Sequence, residues 1–596
     1  MKELSSLNPY LAKYKYRILF GCIFIALSNW FGVFPAQIIR LAFDLVKDNL
    51  ANYQLTSGFE NQAILKSIII QIALLFGALI VLISIIKGVF MFFMRQTIIV
   101  VSRLIEYDLK NVIYQKYQEL SLSFYRINNT GDLMNRVSED VSRVRMYIGP
   151  AIMYTLNLIV LFVLVISTMI SVNPMLTFYA LLPLPLLFVA IYYVQNTINT
   201  KSENIQAQLS ILTTTVQETF SGIRIIKAFG REQQLADRFA SDSEVYKTKS
   251  MELVKVQAIF FPTILGLIGI STLLTVYFGG KEVINGSITA GNIAEFIVYV
   301  NILTWPVASV GWVTSLVQRA AASQKRINEF LDIAPEITNP SALPFEFTNS
   351  IEFKNVSFTY PETNITAIDQ LSFTLTKGQT LAIVGKTGSG KSTISNLISR
   401  MIDVSSGSIL IDNQDIKNIN LNDWRNQIGI VPQEVFLFSD SIQNNITFGK
   451  DQCETADIHQ AAQMAGVYDS IIAFPNGFET LLGERGITLS GGQKQRVSIA
   501  RALIKKPSLL LFDDALSAVD TQTEEGILSN LANTRKDATN ILISHRISTL
   551  KNADMILYLA NGKVAEMGSH EALLANKGPY YELYQMQLLA DAQKQE

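Results

Sequence analysis

The residues best suited to chemistry lie in a few short stretches of the C-terminal half. The run Gly385-Lys386-Thr387-Gly388-Ser389-Gly390-Lys391-Ser392 follows an apolar stretch at 381–384, and a helical pattern begins at Thr393. A strand, a glycine-rich turn and a helix opening on Lys-Ser form a phosphate-binding loop. Its glycines let backbone N–H groups turn inward, and the helix start adds about half a positive charge. Lys391 is expected to reach the β/γ-phosphates, and the Ser392 hydroxyl to ligate Mg²⁺. Further on, Ser508-Leu509-Leu510-Leu511-Phe512-Asp513-Asp514 reads as a buried strand ending in two carboxylates. The strand end sets Asp513 to hold Mg²⁺ through water and Asp514 to face an attacking water. Between these stretches, Leu489-Ser490-Gly491-Gly492-Gln493 is a second glycine-rich turn that feeds a helix from Lys494. It is a second ready anion site.

The rest of the chain must position these groups. It has 596 residues, enough for three or four average domains. The net charge of −1 gives no basic surplus that would suggest nucleic acid as a partner. Apolar residues crowd into the first 320 positions, where six runs are long enough to cross a bilayer, which takes about 20 mostly apolar residues: 18–39, 68–93, 148–172, 175–194, 259–278 and 293–313. Only Asn173-Pro174, a turn signal, separates the third and fourth. The gaps 43–62, 173–174 and 279–289 are short or poor in Lys and Arg, whereas 95–145 and 195–255 are long and rich in them. By the positive-inside rule, both termini and the long gaps are cytoplasmic. The long gaps keep helical spacing, with breaks near 128–131 and 221–222. They are expected to be polar extensions of the membrane helices. No removable signal peptide is read at the N-terminus. Cys22 and Cys453 lie far apart, so no structural disulfide is expected. Lys87, Arg40 and Glu295 fall within or beside apolar runs and read either as interface charges or as substrate contacts. The expected division is a membrane domain at 1–325, a proline-punctuated linker at 326–350 and a soluble α/β domain at 351–596. Asn561-Gly562 marks a hairpin in the last of these.

Phosphate-binding loop, Leu489–Gln493 turn and acidic strand in this order resemble the ATP-binding cassette family, over essentially the whole chain. The resemblance implies that Ser490, Gly491, Gly492 and Gln493 cap the γ-phosphate of ATP held by the opposite subunit, and that Gly385 through Thr393 hold this chain's own ATP. It also implies roles by position. Tyr360 stacks on adenine, Gln433 touches Mg²⁺ and water, His545 contacts the γ-phosphate, and Asp520 lies in the loop between two ATP sites. Six spans fused ahead of one cassette look like an exporter half-transporter, with coupling helices near 128–136 and 217–227. The implied protein is a bacterial plasma-membrane pump for amphipathic or lipophilic small molecules, dimeric with itself or with a second half-transporter. A lipid flippase of the same architecture and an ATP-binding regulator with weak hydrolysis are the alternatives. One position departs from the family pattern: Asp514 stands where Glu usually serves as general base. The carboxylate then sits about 1 Å further from water, a misplacement that can cost ~10²-fold. Asp514, with Thr304-Trp305-Pro306 and Gly311-Trp312, resembles one subunit of heterodimeric multidrug exporters, in which one ATP site is weak.

Overall fold

The computed structural model of the chain describes residues 2–55, 59–450, 452–534 and 538–595. They form two compact units, one of residues up to Gln118 with Gly131–Ile333, the other of Glu119–Thr130 with the chain from Ala334 on.

The first unit is helical. Among the described residues, six segments are long and apolar enough to cross a membrane; their helices run Lys15–Leu55, Phe59–Glu119, Thr130–Val172, Pro174–Ser221, Glu232–Ile284 and Ala290–Leu331. The second has 61 residues, about 90 Å of helix, so much of it must lie beyond any bilayer. Its two parts differ in pattern. Leu74 and Leu75 are about two-thirds exposed, as a lipid-facing surface would be. Beyond them, Ile98, Val101, Ile105, Leu109 and Ile113 are buried at spacings of three or four, the stripe of a helix packed on one side. The gap read at 43–62 is helical up to Leu55 and again from Phe59; residues 56–58 lie outside the described residues.

Polar groups pin these helices together. Asn173 ends the third span and caps the next helix, its side chain accepting from Leu176 N–H at 2.9 Å. Asp140 is buried and accepts from Ser323 Oγ (2.8 Å) and Arg326 Nε (3.0 Å), joining the third and sixth helices. Arg40 and Glu295 pair with one another at 3.3 Å, and Glu295 is fully buried, also accepting from Tyr299 (2.8 Å) and Asn292 (3.2 Å). A buried carboxylate with three donors is a built interhelical tie, a third option beside the interface and substrate readings. Both cysteines are free thiols.

The second unit is α/β. Strands β1 (Ser350–Tyr360), β2 (Ile365–Thr376), β4 (Ser406–Ile411) and β5 (Gln414–Asp415) make an antiparallel sheet in the order β2-β1-β4-β5. Strands β3 (Thr380–Gly385), β6 (Ile428–Val431), β7 (Leu509–Asp513), β8 (Thr539–Ile543), β9 (Met555–Ala560) and β10 (Lys563–Gly568) make a second sheet, β10-β9-β3-β8-β7-β6. It is parallel except for β10, which turns back from β9 at Asn561-Gly562.

Side-chain alternation explains why β3 and β7 read as unbroken apolar runs. Leu381, Ile383, Leu509 and Leu511 face one core, shared with Trp424 and Phe353. Ala382, Val384, Leu510 and Phe512 face the other, shared with Val497 and Ile499. A parallel strand covered on both faces has no polar side to show. The parallel strands end at one edge, which delivers Gly385, Asp513 and Ile543 together. Residues 345–349 pack into this unit: Phe347 is fully buried beside Trp424, and Asp412 accepts from the N–H groups of Thr348, Asn349 and Ser350.

Candidate functional site

The site begins where β3 runs into helix Lys391–Ile398. Gly390 has φ of +100°, and a Cβ there would lie 2.2 Å from the Ala367 carbonyl oxygen, so only glycine fits the turn. Lys391 is buried and its ammonium donates to the carbonyls of Gly385 (2.8 Å) and Lys386 (2.9 Å). Three donors with two committed leave one for a phosphate oxygen. Burial depresses the Lys391 pKa, against the pull of Asp514 and Asp513. The Ser389 hydroxyl is buried in the same loop with no protein partner. An orphaned hydroxyl beside a cationic helix start fits an anionic ligand.

The acidic strand meets this loop. Ser392 Oγ donates to Asp513 Oδ1 at 3.0 Å. A hydroxyl and a carboxylate in contact, with water and phosphate oxygens to complete the shell, suit Mg²⁺, which takes few protein ligands. Burial raises the Asp513 pKa above the usual carboxylate range; the Ser392 hydroxyl opposes this, Asp514 adds to it, and Lys391 and His545 also oppose it. Gln433 lies two residues beyond β6, exposed, at the same edge; its strand pairs with β7 up to Val431 beside Phe512. His545 follows β8, partly buried, on the other side of β7.

Asp514 has φ of +48°, left-handed backbone. Its N–H donates to the Ile543 carbonyl (2.8 Å), and its own carbonyl accepts from Ser517 Oγ (2.8 Å). Among side-chain-bearing residues Asp is several-fold enriched in this region and Glu is not. The backbone supplies a local reason for aspartate that the sequence does not display.

Tyr360 ends β1, half-buried, with its hydroxyl 3.0 Å from Thr393 Oγ1 and its ring edge-on to Phe358 at 4.8 Å. The ring therefore lies beside the start of the phosphate-loop helix. The second turn is different. Ser490 caps helix Gly491–Leu503 in a reciprocal box: its Oγ accepts from Gln493 N–H (3.3 Å), and Gln493 Oε1 accepts from Ser490 N–H (3.0 Å). A Cβ on Gly492 would come within 2.9 Å of the Ala518 carbonyl oxygen. Ser490 and Gly491 are exposed.

Three residues not singled out from sequence support these groups. Gln495 accepts from Ala518 N–H (3.0 Å) and so ties the Gly491–Leu503 helix to the loop after Asp514. Gln587, in the C-terminal helix Pro579–Gln595, accepts from Ile547 N–H (2.9 Å) and donates to the His545 carbonyl, bracketing that histidine's backbone. Arg126, from the short helix Leu122–Ile127, lies over the Tyr360 ring with its guanidinium carbon 5.0 Å from the centre. No sequence signal pairs glutamine or arginine with partners so many residues away.

Comparison with known proteins gives the same picture. The family model described as ABC transporter transmembrane region matches residues 18–307, and the one described as ABC transporter matches 368–517. A multidrug resistance-like ATP-binding protein of Escherichia coli is 36% identical over 87% of this chain and 88% of its own length. A probable multidrug resistance ABC transporter ATP-binding/permease protein of Bacillus subtilis is 34% identical over 99% and 98%. An ATP-dependent lipid A-core flippase of Syntrophus aciditrophicus is 35% identical over 86% and 85%. Among solved structures, a bacterial Atm1-family ABC exporter with ATP bound superposes with a TM-score of 0.76 at 27% identity, covering 97% of this chain and 99% of that one.

Proposed function

The chain belongs to the ABC transporter family, as a multi-pass exporter with fused membrane and ATP-binding domains, and we propose that it is one subunit of a dimeric pump for amphipathic or lipophilic small molecules. It is an ATPase coupled to transmembrane transport. The substrate class rests on the relatives named for multidrug resistance. The second reading, a lipid flippase of the same architecture, rests on the Syntrophus relative. In either case the pump sits in a bacterial inner membrane with its termini and ATPase domain in the cytoplasm, as the Lys- and Arg-rich long gaps indicate. Its working parts are a membrane domain at 1–325, a linker at 326–350 and a cassette at 351–596.

The observation that carries the site is the meeting of Ser392, Lys391 and Asp513 at one sheet edge. Tyr360 takes adenine. Backbone N–H groups and hydroxyls from Gly385 to Thr393, with Lys391, take the phosphates. Ser392, Asp513 and Gln433 would hold Mg²⁺, which when bound neutralises charge on the β- and γ-oxygens. Asp514 takes the proton of the attacking water, and His545 donates toward the γ-phosphate. Ser490, Gly491, Gly492 and Gln493 close the partner's site.

Aspartate at 514, one methylene shorter than glutamate, supports a third reading, a subunit that binds ATP but hydrolyses it weakly and leans on a partner with glutamate there. Phosphate release by the chain alone in lipid nanodiscs, beside Asp514→Glu and Asp514→Asn, separates the two. Clear turnover that Asn abolishes makes Asp514 a working base in a homodimer. Turnover only in the Glu variant, with ATP still bound by the wild type, marks the weak half of a heterodimer.

A further inference from the structure

Arg126 occupies the place where a base would stack. Tyr360 is half-buried against the core that holds Phe353 and Trp424, so its ring has one side to offer. The Arg126 guanidinium lies over that ring at 5.0 Å. A stacked base would set its own ring centre about 4.5–7 Å from that of Tyr360, the same space. The two occupants exclude one another unless the arginine moves.

The segment bearing Arg126 is short and held at its other end. Helix Leu122–Ile127 stops where Asn128 turns extended. Ser121 Oγ donates to Glu336 Oε2 at 3.1 Å, Ser123 Oγ bonds the same oxygen, and the two hydroxyls lie 2.9 Å apart. Arg126 itself is exposed, and its guanidinium has room to swing into solvent. The segment joins the second span to the third.

We propose that Arg126 competes with adenine for Tyr360, so that the base, and not only the phosphates, is sensed by the segment between the second and third spans. This rests on the reading that Tyr360 stacks on adenine. While it lies over the ring, the Arg126 cation holds the Tyr360 face and tethers its end of the segment. Stacking of the base releases Arg126 and loosens the C-terminal end of Leu122–Ile127. Arg126 is thus a positioning residue, acting through Tyr360.

The test is ATP binding to the full chain in nanodiscs, with Mg²⁺ chelated to prevent turnover, beside inorganic tripolyphosphate as a ligand without a base. An exposed cation–π contact corresponds to roughly a two- to fivefold change in affinity, so Arg126→Ala and Arg126→Gln should each bind ATP about two- to fivefold more tightly. Arg126→Lys should stay near wild type, and tripolyphosphate affinity should not change. Tyr360→Ala should weaken ATP, and Arg126→Ala should then add nothing. Hydrogen exchange in 122–127 should rise with ATP and not with tripolyphosphate. Unchanged or weaker ATP binding in both neutral variants, or equal tightening toward tripolyphosphate, overturns the competition. Unchanged ATP binding in Tyr360→Ala instead overturns the stacking reading beneath it.

Discussion

The ATP-binding unit contains two glycine-rich turns that each open a helix, and they are finished in opposite ways. The phosphate loop is surrounded by its own chain: Lys391 is folded onto the loop carbonyls, Ser392 reaches Asp513, and Ser389 is buried with a hydroxyl to spare. The Ser490 turn closes on itself through the Ser490–Gln493 box and presents Ser490 and Gly491 to the outside. The first has the charges and the enclosure of a whole binding site. The second has a pre-shaped helix start with no ionisable group among its four motif residues. A turn already satisfied by its own cap yet open on its outer side is built to be completed by another molecule. In the proposed dimer, that molecule is ATP on the partner's phosphate loop.

The comparison is broken most severely by removing the cation. Lys391→Ala should lower phosphate release by ~10²–10³-fold, the scale set by deleting one charge-stabilising donor in an enclosed site. The melting temperature should change far less, because the loop keeps its backbone. Turnover within tenfold of wild type would mean that the loop is not where ATP reacts.

The sharpest separation of the two turns comes from combining faults. Gly492→Asp crowds the Ala518 carbonyl and puts a negative charge at the open turn. Lys391→Ala and Gly492→Asp homodimers should both be inactive. A doubly tagged mixed dimer has one loop and one opposing turn intact, and should regain about half of wild-type turnover, since a two-fold dimer holds two equal sites. Pairing verified by the two tags with no turnover would count against a site shared across chains. A smaller effect follows from the cap alone. Ser490→Ala removes one N-terminal acceptor, worth about 1 kcal/mol, and should slow turnover some five- to tenfold, whereas Ser490→Thr should retain most of it.

What was legible in the sequence follows the same division. Lys391, Ser392 and Asp513 are legible because each sits at a fixed offset from a strand end, and the parallel sheet carries those ends to one edge. The six spans are legible because a membrane leaves long apolar runs. Contacts between distant segments were not legible. Arg126 meets Tyr360 and Gln587 meets His545 through folding alone, and neither leaves a pattern in its own neighbourhood. The pairing of Arg40 with Glu295 is of this kind too: each looked like a lone charge until the first and sixth helices were side by side. The break expected near 128–131 falls where Asn128 turns extended, between helix Leu122–Ile127 and the helix Thr130–Asn135.

The smallest effect distinguishes the turns by charge. The phosphate loop faces the Asp513 and Asp514 carboxylates, whereas the side chain that reaches the second turn's Gly492 carbonyl is the Arg496 guanidinium, so the phosphate loop should respond more strongly to mild acid. Burial is the largest influence on Asp513 and raises its pKa, with Asp514 adding to the rise against Ser392, Lys391 and His545. The folded chain therefore binds that proton more tightly than the unfolded chain does. The contribution to stability is full below the unfolded pKa and is lost as pH rises through the folded one. At neutral pH, without nucleotide or Mg²⁺, Asp513 is a cost to the fold. Asp513→Asn should then melt higher than wild type at pH 7.5, and the difference should narrow as pH falls. With Mg²⁺ and ATP the order should invert, since the carboxylate gains a cation that asparagine cannot match. Thermal unfolding in nanodiscs reads both arms. An Asn variant no more stable than wild type at pH 7.5 in chelator would mean that the Ser392, Lys391 and His545 side of the balance outweighs burial. The loop would then be preset for its cation rather than strained by its absence.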